Sequence, residues 1–215
     1  MLILNEYDTI INDAPYSIHS QGLGGIWQFR GRKVYAFSAT SSTAYERLIN
    51  NCVATPKVLK FKSEYEHVHG TSPVQEAVIR SFKDNQLRLI SLEEDILKNY
   101  DHKPMVVIYN LENAELLETI LTKSKLRYAV GCSSEVLEQA KQWEYGVLLL
   151  KASEGRGVDC RFRKDALVLI VAEVESYHEL QQMVGRSSRS RGICEGVLYK
   201  VGMQTASQVV DRLKR

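Results

Sequence analysis

The stretch "YGVLLLKASEGRGVD", Tyr145 to Asp159, decides how this chain is read. Gly146 to Leu150 runs without a polar residue, and Lys151 opens a loop that holds Gly155 and Gly157. A short run that is apolar on both faces belongs to a strand covered on both sides, as in a parallel sheet. Glycines directly after it permit a tight turn and a close backbone approach to a ligand. Ligands in open α/β sheets bind beyond the carboxyl ends of strands, where this loop falls. Asp159 can accept a hydrogen bond from a ribose hydroxyl, although a plain turn accounts for the loop as well.

Similar runs lie on either side. "LIL" at 2–4 and "KVYAFSAT" at 33–40 precede it, as does "MVVIY" at 105–109; "ALVLIVA" at 166–172 and "GVLYKV" at 196–201 follow. Between them the apolar spacing turns helical. "NAELLETILTKS" places Leu116, Leu117, Ile120 and Leu121 on one face, with Asn113 as candidate cap. "SSEVLEQAKQ" repeats Val136, Leu137 and Ala140 after Ser133. "SYHELQQMVGRSSR" reads as helix to about Gly185, and "TASQVVDRLKR" as an amphipathic docking helix. Alternating strand and helix predicts an α/β parallel sheet with helices on both faces.

The segment Ala54–Pro73 breaks this alternation with two prolines, a glycine and clustered charge. Residues 1–58 therefore read as the C-terminal part of one α/β unit, 59–73 as a linker, and 74–215 as a second, nearly complete unit with four strands. Two strands are too few for an independent sheet, so the rest of the first unit is expected upstream, and the chain reads as a piece of a longer protein.

Composition narrows the function classes. The 215 residues carry a net charge of only +2, so any affinity for a polyanion must come from a local patch. Four widely spaced cysteines, Cys52, Cys132, Cys160 and Cys194, form no CxxC pair and support neither a zinc site nor a disulfide framework. No apolar run approaches the roughly 18 residues of a membrane span. A cytosolic or nuclear location is expected. His67 and His69 read as solvated linker residues, and Trp27 and Trp143 as packing on the sheet.

The chemistry concentrates at strand ends. "NEYD" closes the first strand with Glu6 and Asp8, but Asn5 stands where nucleotide hydrolases place an aspartate. Asparagine is neutral and offers Mg²⁺ one carbonyl oxygen. Ser38 and Thr40 end the next strand with hydroxyls suited to hydrogen-bond the acidic strand end. The sharpest signal is "LQQMVGRSSRSRG", in which Gln182, Gly185, Arg186 and Arg189 read Q-x-x-G-R-x-x-R. Two arginines three apart on a helix project from one face and can clamp a γ-phosphate. A basic, solvated helix end is the bland account.

In this order the segments resemble the motifs of superfamily 2 helicases and translocases. "NEYD" resembles motif II, "SAT" motif III, "VVIYN" motif IV, "SEGRGVD" motif V and "QMVGRSSR" motif VI. Within that superfamily "NEYDTIINDAPYSI", "EGRGVD" and "QMVGRSSRSRG" are most similar to SecA-type motors. "SAT" is more helicase-like, and only Ser17 to Gly31 separates the acidic region from the next strand, with no room for a preprotein-binding insertion. The resemblance implies two RecA-like units, the first incomplete. It implies Glu6, Gln182, Arg186 and Arg189 in catalysis, and Asn5, Asp8, Gly155, Gly157 and Asp159 beside ATP and Mg²⁺. Ser38 and Thr40 would couple the sites, and Asn110, Lys151 and Ser153 would touch the track, nucleic acid or unfolded polypeptide.

A G-x-x-x-x-G-K-[ST] loop is absent; "GLGGIW" at 22–27 has glycines but neither the lysine nor the hydroxyl. Without that cradle the β- and γ-phosphates have no seat. The chain alone is expected to hold ATP weakly and not to hydrolyse it, its arginines acting on a nucleotide gripped by an upstream P-loop domain. The competing reading is a degenerate helicase-like scaffold or regulatory module, marked by Asn5.

Overall fold

The computed structural model describes residues 2–5, 34–37, 75–154, 160, 162, 165–175, 177–185 and 194–213. The chain divides into two compact units, 1–61 and 62–215. In the first, strands β1 (Leu2–Asn5) and β2 (Val34–Phe37) pair in parallel, with Leu2 opposite Val34 and Asn5 opposite Phe37.

The second unit is built on six strands: β3 (Gln75–Phe82), β4 (Pro104–Tyr109), β5 (Tyr128–Val130), β6 (Gly146–Lys151), β7 (Leu167–Ile170) and β8 (Cys194–Val201). Their order across the sheet is β3-β8-β7-β4-β6-β5, and every pairing is parallel. The central strands β4, β6 and β7 are the apolar runs of the sequence, buried on both faces. The helices are α1 (Asn85–Asn99), α2 (Ala114–Lys123), α3 (Ser134–Ala140), α4 (Tyr177–Val184) and α5 (Ala206–Leu213).

The expectation of four strands is corrected to six, and α1 is an additional helix. Both added strands are edges. β3, "QEAVIRSF", holds only three consecutive apolar residues between polar pairs and leaves Val78 59% exposed, so it lacks the longer apolar run of an inner strand. β5 is only three residues long and half-exposed. α1 does carry a helical signature: Asp84 accepts the Leu87 N–H at 2.9 Å as N-cap, and Leu89, Leu92 and Ile96 recur on one buried face.

Alternate side chains of the strands feed two core layers. On one face Met105, Val107, Val147, Leu149, Leu169 and Val197 meet α1 and α2 through Leu92, Ile96, Leu117 and Leu121. On the other, Val106, Ile108, Leu148, Leu150, Val168 and Leu198 meet α3, α4 and α5 through Ala140, Leu180, Met183, Val184, Val209 and Leu213. Each fully buried aliphatic side chain contributes roughly 1.5–3 kcal/mol. α5 docks through Val209 and Leu213, as its amphipathic pattern predicts. Trp143 is buried in this second layer, as expected.

Two details of α2 differ from the sequence reading. Leu116 is 45% exposed while Leu117, Ile120 and Leu121 are buried, because four apolar residues span more arc than the contact with the sheet covers. Asn113 occupies the N-cap position but its side chain makes no capping bond; its backbone is helical (φ −101, ψ −1), which turns the amide away from the first-turn N–H groups.

Two glycines are required by close approach. Gly146 has φ +136, and a Cβ there would lie 2.8 Å from Trp143 Cε3. At Gly196 a Cβ would lie 2.8 Å from Val184 Cγ2 and 3.3 Å from the Val168 carbonyl oxygen, so α4 rests directly on β8. A polar tie joins β3, β8 and α1: Asp95 accepts from Arg80 Nη1 at 2.6 Å and from the Tyr199 hydroxyl.

Candidate functional site

The winding of the sheet fixes where a ligand can sit. From β4 the chain passes to β5 and returns to β6 beside β4, then crosses to β7 and β8 on β4's other side. The direction of winding reverses at β4, and the crevice beyond its carboxyl end is the site such sheets use. There the Ala152 N–H donates to the Tyr109 carbonyl at 2.9 Å, and the Val171 N–H to the Ile108 carbonyl at 2.8 Å. The ends of β4, β6 and β7 are thus stitched into one rim.

This rim brings together the three residues expected to touch a track. Asn110 follows β4 in extended conformation (φ −85, ψ 151), and its carbonyl accepts the Asn113 N–H at 2.9 Å. Lys151 and Ser153 are exposed on the turn after β6. That turn is closed by a residue the sequence reading passed over. Glu154 accepts the Lys151 N–H through Oε2 at 2.8 Å, and its own N–H donates to the Lys151 carbonyl at 2.9 Å. Its charge is felt nearby: burial first, and then Glu154, push the Cys132 thiol and the Tyr109 hydroxyl above their ordinary pKa values.

α4 leads toward the arginine segment. Glu179 in its first turn accepts the Glu175 N–H at 2.8 Å, which ties the entering chain to the helix, and a carboxylate there suits the helix dipole. Gln182 is half-buried on this helix. Because α4 connects parallel strands, it runs back against them, and Val184 packs on Gly196 in the first half of β8. Gly185, the residue before Arg186, is therefore delivered to the edge of the sheet opposite Asn110, Lys151 and Ser153, roughly 12 Å of helix away. The fold separates Gly185 from the rim.

Arg186 and Arg189 lie outside the described residues, as do Glu6, Asp8, Ser38, Thr40, Gly155, Gly157 and Asp159. Asn5 ends β1 and only its backbone is described. For ATP and Mg²⁺ the donor set that can be tested is thus small. Asn5 is a neutral ligand, and the described residues form no phosphate cradle.

A second residue absent from the sequence reading stands beside the rim. Arg88, in the first turns of α1, is only 4% exposed. Its Nε donates to Asn85 Oδ1 at 2.9 Å, and among the described residues no carboxylate lies within ion-pair distance. Burial lowers its pKa, partly offset by the fields of Glu173 after β7 and Glu112 after β4. Its signal in the sequence was its place four residues before Leu92, on the inward face of α1.

No protein-family model matches the chain, and no curated protein matches it. Solved structures do. The chain is similar to the DEAD-box helicase Mss116 bound to ssRNA and UDP-BeF (TM-score 0.63, 20% identity), covering 93% of this chain and 43% of that one. It is similarly related to Mss116p lacking its NTE and C-tail, bound to ssRNA and AMP-PNP (TM-score 0.60, 18% identity, with the same coverage). The chain spans less than half the length of these proteins. Among the described residues no helix is long and apolar enough to cross a membrane. The likeness is one of architecture: the six-stranded, all-parallel sheet with helices on both faces is the RecA-like α/β fold found in helicase domains.

Proposed function

We propose that this chain is the second motor domain, with part of the first, of an ATP-driven superfamily 2 motor whose track is a single nucleic-acid strand. The observation that carries the reading is the rim at the switch point. The Ala152–Tyr109 hydrogen bond sets Asn110 beside Lys151 and Ser153, offering an amide, an ammonium and a hydroxyl at the carboxyl edge of the sheet. Such groups position a phosphate backbone without reading bases. The similar fold of a helicase that binds ssRNA supports this choice of track.

In this reading a second, P-loop-bearing domain holds ATP and Mg²⁺, which supply the free energy of movement on hydrolysis. This chain contributes Arg186 and Arg189 toward the γ-phosphate, Gln182 behind them, and Glu6 with Asp8 from the first unit. Gly155, Gly157 and Asp159 face the nucleotide from the loop after β6, and Ser38 and Thr40 link the acidic strand end to the track. The separation of Gly185 from the rim supports a motor in which the arginines reach the nucleotide from another edge of the sheet than the one that holds the track.

The test is fluorescence anisotropy of a labelled single-stranded RNA with the chain. Binding should weaken with salt, and Asn110→Ala or Ser153→Ala should each lower affinity roughly threefold to tenfold, the weight of one hydrogen bond. Displacement by an unfolded peptide instead of RNA would make the track a polypeptide, as in SecA-type motors. Binding of neither would leave a scaffold. The isolated chain should show no ATP turnover above background. In a protein that joins it to a P-loop domain, Arg186→Ala and Arg189→Ala should abolish hydrolysis far more than nucleotide binding.

A further inference from the structure

We infer that Arg88 is a phosphate-contacting residue of the track site, extending it from the β4–β6 rim across β7 to helix α1. The inference rests on the nucleic-acid reading above. Helical spacing puts Arg88 on the inward face of α1 with Leu92 and Ile96, so its stem is buried in the core layer. A buried cation ordinarily has a carboxylate against it, because desolvation outweighs what neutral neighbours return. Among the described residues Arg88 has only the Asn85 amide oxygen on Nε and no partner on its terminal nitrogens.

Its place in the fold says what is missing. α1 begins at the carboxyl end of β3, so its first turns lie at the same edge of the sheet as Asn110 and Lys151. Glu173 follows β7 and Glu112 lies in the turn after β4, and both act on Arg88 electrostatically, which locates the guanidinium beside the β7 and β4 ends. Glu173 is turned toward Lys200 Nζ at 3.7 Å. The turn that carries Glu112 also holds Asn113, 2% exposed, whose Nδ2 has no acceptor. The edge thus carries one unpaired buried amide donor near a cation that has no carboxylate within ion-pair distance among the described residues. A phosphate oxygen supplies the acceptor that both the charge and the unpaired amide call for, and a guanidinium fork suits it. From β6 to β7 the rim spans two strand spacings, about 10 Å, within reach of one bound strand.

The experiment uses the whole chain and Arg88→Met, which keeps the stem's volume and removes the charge. Affinity for a labelled oligouridine is measured from about 50 to 200 mM salt, with urea midpoints alongside. Losing one phosphate contact should reduce the slope of log K against log salt by about 0.7. The urea midpoint should stay level or rise, since an apolar residue of similar size often replaces a buried charge without loss. Arg88→Lys, which retains the charge, should keep most of the slope. An unchanged slope in Arg88→Met with normal RNA binding overturns the inference and leaves the track reading intact. A lowered midpoint in Arg88→Met, or equal loss of slope in both variants, makes Arg88 a packing residue and overturns it too. Absence of RNA binding by the unaltered chain, or binding of unfolded peptide in its place, removes the track reading and this inference together.

Discussion

Substituting Gly196 by alanine tests how tightly α4, and with it the arginine segment, is set on the sheet. The new methyl would lie 2.8 Å from Val184 Cγ2 and 3.3 Å from the Val168 carbonyl oxygen. Carbon atoms in contact sit about 3.5–4.0 Å apart, so roughly 0.7–1.2 Å must be found. Val184 is β-branched and holds one rotamer in a helix, and the carbonyl is pinned in the sheet, so neither yields without moving backbone. Overpacking of this kind costs about 1–3 kcal/mol. Alanine's smaller unfolded-state entropy returns about 0.4–1 kcal/mol, leaving a net loss of roughly 1–2 kcal/mol. Urea unfolding read by Trp143 fluorescence in a Trp27→Phe background should show a midpoint lower by about 0.5–1 M. Val184→Ala alone should cost roughly 2 kcal/mol as a cavity. Combined, the two should cost less than their sum by about 1 kcal/mol or more, because the new methyl fills the space vacated. Additivity within about 0.3 kcal/mol would refute the claim that these groups touch.

Four further outcomes are expected. Burial, and then the bond to Asp95, raise the Tyr199 hydroxyl above its ordinary value of 10.0, so both folded and unfolded forms are neutral below that pH. Above it the unfolded chain ionises first and stability falls; Tyr199→Phe should flatten the decline in urea midpoint between about pH 9 and 11. Asp95→Ala leaves Arg80 and the buried Tyr199 hydroxyl without their shared acceptor and should cost about 1–3 kcal/mol in the same assay. Asp84→Ala removes the cap of α1 and should cost about 1 kcal/mol. Gly146→Ala combines a φ of +136 with contact on Trp143, and should cost about 2–4 kcal/mol and alter Trp143 emission.

The candidate residues were legible as types but not as places. Asn110, Lys151 and Ser153 were chosen as what the resemblance to helicase motifs implies, and the fold sets them on one rim. Glu154 and Arg88 were not chosen, because a bond to a backbone N–H in one case and burial in the other appear only once the chain is folded. A glutamate in a glycine-rich loop looks like a solvated acid until its carboxylate is found on the Lys151 N–H. An arginine in a helix looks like surface until the face it occupies is known. The edge strands escaped for a related reason: a strand with one open side has no need of continuous apolarity.

The sequence by itself determined that a parallel sheet would form from the inner runs, since only a strand covered on both faces can carry "MVVIY" or "GVLLL" without exposing them. It also showed that the 215 residues contain no G-x-x-x-x-G-K-[ST] stretch. Only the tertiary structure decided the strand order, and therefore that β4 and β6 end together while α4 carries the chain to the opposite edge. Apolar pattern specifies that a face is buried; which neighbour buries it is settled by packing, through contacts such as Val184 on Gly196 that join residues far apart in the chain.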